Sequence, residues 1–146
     1  MAAGAEKSSD SILLRGLSAR EQTIIHGFFH YRDYQIGEVI FDEGEEGQAL
    51  YLIESGDVAI CLPGSQATPV AKLSSGDFFG EMGLLDDAPR SAQARATAPA
   101  RVAVLSRSDF DRLMASHARI ASCVAFQLAR ELGLRLRGML QAGAVK

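Results

Sequence analysis

Hydrophobic and polar positions along this 146-residue chain follow two different periods, and the switches between them divide it into three parts. Near the start, apolar Leu17 precedes Ser18-Ala19-Arg20-Glu21, the Ser-x-x-Glu form of a capping box with a hydrophobic staple before it. Ile24, Ile25, Phe28 and Phe29 follow at helical spacing, which predicts a short helix through about His30. Up to Ser106 the texture is then one of short apolar or alternating runs: HYRDYQ, EVIF, ALYLIES, DVAICL, PVAKL, SAQARAT and RVAVLS. Gly37, the acidic stretch Asp42 to Gly47, Gly56, Pro63-Gly64 and Gly76 separate them. Strands at such close intervals predict a compact all-β sandwich or roll. From Ser108 the helical period returns. Ser108 reads as the cap of a short helix from Asp109 to about Ser116, and a longer helix runs from about Ala118 to Gln141. There Ile120, Val124, Leu128, Leu132, Leu136 and Leu140 recur every four residues, and Cys123, Phe126, Leu134 and Met139 widen the apolar surface. The stripe is broader than one small roll needs, so part of it is expected to face a second subunit.

Composition narrows the class. The length suits one domain, and 47% hydrophobic with 23% charged residues is ordinary for a globular protein. A net charge of -3 argues against a general nucleic-acid surface. No run of about 18 apolar residues is present, so no membrane span is expected. The opening MAAGAEKSSDS lacks the apolar stretch of a signal peptide, so residues 1–15 are expected to be a flexible tail and 16–146 the domain, in the cytoplasm. Cys61 and Cys123 lie outside any metal-ligand spacing and are expected as reduced thiols.

Candidate chemistry concentrates in FGEMGLLDDAPRSA, Phe79 to Ala92. Glu81 and Arg90 stand nine residues apart around a short apolar turn. A guanidinium offers two parallel charge-assisted hydrogen bonds to a phosphate, whereas a carboxylate beside that phosphate would repel it. Glu81 is therefore expected to accept from a sugar hydroxyl on the far side of the same ligand. The LLDDAP turn is expected to begin as a short helix, Gly80 and Gly83 to allow close backbone approach, and Ser91 to add a hydroxyl or amide beside the anion. The plain alternative is a surface salt bridge between Glu81 and Arg90, worth about 0–1 kcal/mol.

The stretch resembles the phosphate-binding cassette of the cyclic nucleotide-binding domain family, approximately F-G-E-x-[AG]-L-[LI]-x-x-x-P-R-[ST]-A. A second region, Gly37-Glu38-Val39-Ile40-Phe41 followed by Gly44, Gly47, Tyr51, Ile53 and Gly56, is similar to that family's strand-turn signature. The resemblance spans about Leu17 to Gln141. It implies an eight-stranded β-roll (jelly-roll) with an N-terminal helix and C-terminal lid helices, and a cAMP or cGMP ligand with no metal. It further implies that Glu81 holds the ribose 2′-hydroxyl and Arg90 the exocyclic phosphate oxygens, with backbone groups of Gly80, Met82, Ser91 and Ala92 completing the pocket. Where the catabolite-activator type carries a Thr-Ser pair for the base, this chain has Arg135-Leu136, which makes Arg135 the candidate base contact. Ser91 is compatible with either nucleotide, and cAMP is favoured over cGMP.

The expected function is a cyclic nucleotide sensor that signals through its last helix to an effector protein, with a homodimer through that helix as a further partner. Two alternatives stand beside it. One is the sensor fragment of a catabolite-activator-type regulator, since no helix-turn-helix pattern follows before Lys146 and no direct DNA binding is expected. The other is a degenerate roll without nucleotide. An enzyme is not expected, because neither G-x-S-x-G nor H-E-x-x-H occurs. His26 and His30 lack the intervening Glu of a zinc helix, and the acidic run at 42–46 lacks calcium-loop spacing.

Overall fold

A computed structural model describes residues 11–64 and 68–143. After a 3-10 turn at Ile12–Leu14 come helix α1 (Ala19–His26) and strands β1 (His30–Tyr34), β2 (Val39–Phe41), β3 (Ala49–Ser55), β4 (Val58–Cys61), β5 (Ala71–Leu73) and β6 (Phe78–Phe79). Helix α2 (Met82–Leu85), strands β7 (Gln93–Ala96) and β8 (Ala100–Ser106), and helices α3 (Arg107–Ser116) and α4 (Ala118–Gln141) complete it. The strands form two four-stranded antiparallel sheets, ordered β1-β8-β3-β6 and β2-β7-β4-β5. This is the β-roll with flanking helices that the sequence implies.

The period of two explains why β3 and β8 are apolar on both faces. Leu50, Leu52, Ala103 and Leu105 join the core beneath the helices, with Ile25, Leu113, Ile120, Val124 and Leu128. Their neighbours Tyr51, Ile53, Val102 and Val104 point the other way, into the roll, against Phe41, Val58 and Phe79. A strand covered on both sides has no polar face to show.

Four expectations need correction at their edges. The capping box forms as read, with Ser18 Oγ accepting from Glu21 N–H and Glu21 Oε1 accepting from Ser18 N–H, but α1 stops at His26 rather than His30. His30 is needed for the ladder, where it pairs with Val104. The cap of α3 is Ser106, whose Oγ accepts from Asp109 N–H at 3.1 Å, so the helix starts one residue before Ser108. An eighth strand, β6, lies in none of the seven runs, because two residues are too few to show alternation. Residues 11–15, expected in the flexible tail, place Leu13 and Leu14 in the core, with Ser11 Oγ accepting from Leu13 N–H. The rest of that tail lies outside the described residues. Among the described residues no helix is long and apolar enough to cross a membrane, and neither Cys61 nor Cys123 forms a disulfide.

Candidate functional site

The segment from Gly80 to Ala92 joins β6 to β7, and its anchor is Arg90. Main-chain bonds fix Arg90 to the turn between β2 and β3: its N–H donates to Glu45 O at 2.8 Å, and its carbonyl accepts from Gly44 N–H at 2.7 Å. Its side chain then turns inward, and the residue is only 8% exposed. Nη1 donates to Gly80 O at 2.9 Å and Nη2 to Ala49 O at 3.1 Å. The guanidinium carbon lies 4.2 Å from the centre of the Phe41 ring and 5.7 Å from that of Tyr51. Tyr51 stacks on Phe79 at 5.0 Å. Burial holds its hydroxyl above the ordinary tyrosine range, while the charge of Arg90 acts in the opposite direction.

No carboxylate lies within ion-pair distance of Arg90 among the described residues. Its Nε is buried without a hydrogen-bond partner. Burying a cation among neutral groups is costly unless an anion joins it, since carbonyl oxygens supply only partial charge. The guanidinium can thus seat an anion, with its Nε N–H still unspent.

Two glycines make this seat possible by close approach. A Cβ on Gly83 would lie 2.8 Å from Gly47 O and 2.9 Å from Ala49 N, so α2 rests directly on β3. A Cβ on Gly47 would lie 2.5 Å from Arg90 Nε. Side chains at either position would displace what they touch.

Glu81 caps the start of α2 by position, but its carboxylate makes no capping bond. It reaches instead to Arg135 of α4, with Oε1 3.4 Å from Nη1. Arg135 also lies over Phe78, its guanidinium carbon 4.4 Å from the ring centre. Glu81 and Arg90 thus have different partners, and the salt bridge between them that the plain alternative required is not formed. Between them opens a cavity of about 660 Å³. All seven candidate residues, Gly80, Glu81, Met82, Arg90, Ser91, Ala92 and Arg135, line it. Ile60, Ala71, Leu73 and Phe78 supply apolar wall. Arg90 and Arg135 are therefore its cations, Glu81 and Asp86 its carboxylates, and much of the remaining wall is apolar, which suits a small anion bearing a sugar and a flat ring.

The motif reading misses the rest of the shell: Ala49 O as an acceptor for Arg90, the Phe41 and Tyr51 rings beside it, and Phe78 under Arg135. Phe41 and Tyr51 belong to the second matched signature, so their importance is visible in sequence but their contact with Arg90 is not. Among the described residues, no three His, Cys, Asp or Glu side chains gather as metal ligands would. His26 Nδ1 meets Tyr31 OH at 2.6 Å, and His30 Nε2 meets Asp109 at 3.0 Å.

Residues 31–117, more than half of the chain, match the family model of the cyclic nucleotide-binding domain. Over 124 residues the chain is 39% identical to the cyclic AMP receptor protein of Thermus thermophilus, covering 84% of this chain and 57% of that one. It is 40% identical over 102 residues to the cAMP-dependent protein kinase regulatory subunit of Emericella nidulans, covering 70% of this chain and 24% of that one. The crystal structure of the Thermus thermophilus catabolite activator protein aligns with a TM-score of 0.79 at 38% identity, over 90% of this chain and 61% of that one. A cyclic nucleotide-binding domain from Methylobacillus flagellatus aligns with a TM-score of 0.86 at 26% identity, over 97% and 83%. The chain therefore spans about a quarter of the kinase regulatory subunit and somewhat over half of the receptor protein.

Proposed function

Because this chain belongs to the cyclic nucleotide-binding domain family, we propose that it senses cAMP, in preference to cGMP, at the cassette between Gly80 and Ala92. The observation that carries the reading is the buried guanidinium of Arg90 with its unpartnered Nε. A cyclic phosphate brings one negative charge and two exocyclic oxygens, which complement that planar fork. Glu81 accepts the ribose 2′-hydroxyl, at a distance from the phosphate that spares it repulsion. Backbone groups of Gly80, Met82, Ser91 and Ala92 complete the cradle. Arg135 lies against the base, sharing or surrendering its long contact with Glu81 as the hydroxyl arrives. Since Arg135 belongs to α4, the ligand's preference for one placement of that helix supplies the free-energy difference a switch requires.

The preference for cAMP is supported by the names of the receptor protein and the kinase regulatory subunit to which the chain is similar. On the same reading the chain is a binding module and not an enzyme, and it acts on an effector protein. A second copy covers the apolar end of α4, where Phe126, Leu134, Leu136, Met139 and Leu140 are each about half or more exposed.

Isothermal titration with cAMP, cGMP and AMP tests this proposal. The wild-type chain is expected to bind cAMP most tightly and AMP not at all. Arg90→Ala removes two charge-assisted hydrogen bonds and is expected to weaken cAMP at least roughly a hundredfold. Silence toward both cyclic nucleotides at millimolar concentration would contradict the proposal.

A further inference from the structure

No sequence motif singles out Arg107, the first residue of α3, yet its side chain reaches back into the cassette. Nη1 donates to Asp87 Oδ1 at 2.6 Å, and Nη2 donates to Gly83 O at 3.0 Å and also to Asp86 O. These two carbonyls belong to the C-terminal end of α2, where a helix leaves acceptors without donors of its own. The Arg107 backbone N–H donates to Gln48 O at 2.8 Å, and Gln48 Nε2 donates to the same Asp87 oxygen at 3.4 Å. One residue therefore ties together the cassette, the turn before β3 and the start of the lid helices.

The other end of α2 is held by Arg135, but differently. That contact is a single 3.4 Å approach to Glu81 from a side chain 45% exposed, whereas the Arg107 side chain is 24% exposed and holds three acceptors. The helices carrying both arginines share one core, through Leu113 of α3 and Ile120, Ala121 and Val124 of α4. The grip is tight at the far end of α2 and loose at the end facing the ligand.

We infer that Arg107 is the positioning residue that couples the cassette to the lid, a fixed clasp about which α2 and the α3–α4 pair move together while the Arg135 contact makes and breaks. The inference rests on the reading of this site as a cyclic nucleotide pocket. Hydrogen exchange in residues 129–141, measured with and without saturating cAMP beside titration of affinity, tests it. The wild-type chain should show a cAMP-dependent change in exchange there. Arg107→Met is expected to bind cAMP about tenfold more weakly, as for one lost charge-assisted bond, and to lose that change even at saturation. Arg107→Lys keeps the charge without the fork and should recover only part of it. Asp87→Asn alters a carboxylate 83% exposed, so it should fold normally and show a smaller change in exchange. A wild-type exchange response in saturated Arg107→Met, with or without a lower melting temperature, overturns the inference. If Arg107→Met does not fold, a full wild-type response in both Arg107→Lys and Asp87→Asn overturns it equally. Failure of the wild-type chain to bind cAMP is a separate result, which removes the site reading and this inference with it.

Discussion

Arg90 is a cation enclosed by two carbonyls and two aromatic rings, with its Nε buried and without a partner. Its place in the motif was legible, because a guanidinium and a carboxylate at that spacing point to a ligand bearing both phosphate and hydroxyl. Its surroundings were not. Ala49, which accepts from Nη2, is 41 residues away along the chain, and only the folding of β3 against the cassette brings it near. The same packing gives a prediction at Gly47. A methyl group there would sit 2.5 Å from Nε and 2.9 Å from Cζ of Arg90, so the guanidinium must move. Gly47→Ala is therefore expected to lower cAMP affinity about tenfold or more, as misplacing a positioned group does, while the far-UV circular dichroism stays that of the wild-type chain. Wild-type affinity in a folded Gly47→Ala would show that the position of Arg90 does not govern binding.

Elements with a long periodic pattern are legible in the sequence. Helix α4 runs from Ala118 to Gln141 as the four-residue spacing predicts, and β3 occupies the whole of ALYLIES. Short elements were not, since β6 offers two residues and no alternation, and its fold comes from pairing Phe78 and Phe79 with Leu52 and Tyr51. The end of α1 is overrun because apolar spacing continues through Phe29, whereas the helix caps at Gly27 and His30 pairs with Val104 of β8. Breadth of the stripe on α4 was legible, and its division was not: Ile120, Ala121, Val124 and Leu128 are buried, whereas Phe126, Leu134, Leu136 and Leu140 are exposed. An exposed apolar run on one helix favours self-association. Sedimentation is expected to show a dimer for the wild-type chain and a monomer for Phe126→Glu, with cAMP binding retained by both. A wild-type chain that sediments as a monomer at every concentration would remove the second copy from the account.

Across the whole molecule, the turn signals and the family motifs identify a roll, while the order of strands within each sheet follows from long-range pairing that no local pattern encodes. The architecture separates two tasks. One core, inside the roll, packs behind the anion seat; the other lies beneath the helices and carries α3 and α4. The cassette stands between them, bonded to β3 through Arg90 and to the lid through Arg107 and Arg135. On the proposed reading a ligand at that junction would touch both bodies, which is the arrangement a sensor needs.

The central claim is that the buried guanidinium of Arg90 binds a cyclic phosphate, and the shift in melting temperature with ligand measures it most directly. A ligand that binds only the folded state stabilises it by about 4 kcal/mol at a thousand times its dissociation constant. Saturating cAMP is predicted to raise the melting temperature of the wild-type chain by several degrees, AMP to leave it unmoved, and Arg90→Ala to lose the response to cAMP. An unchanged melting temperature with cAMP, or an equal rise in Arg90→Ala, would contradict the account.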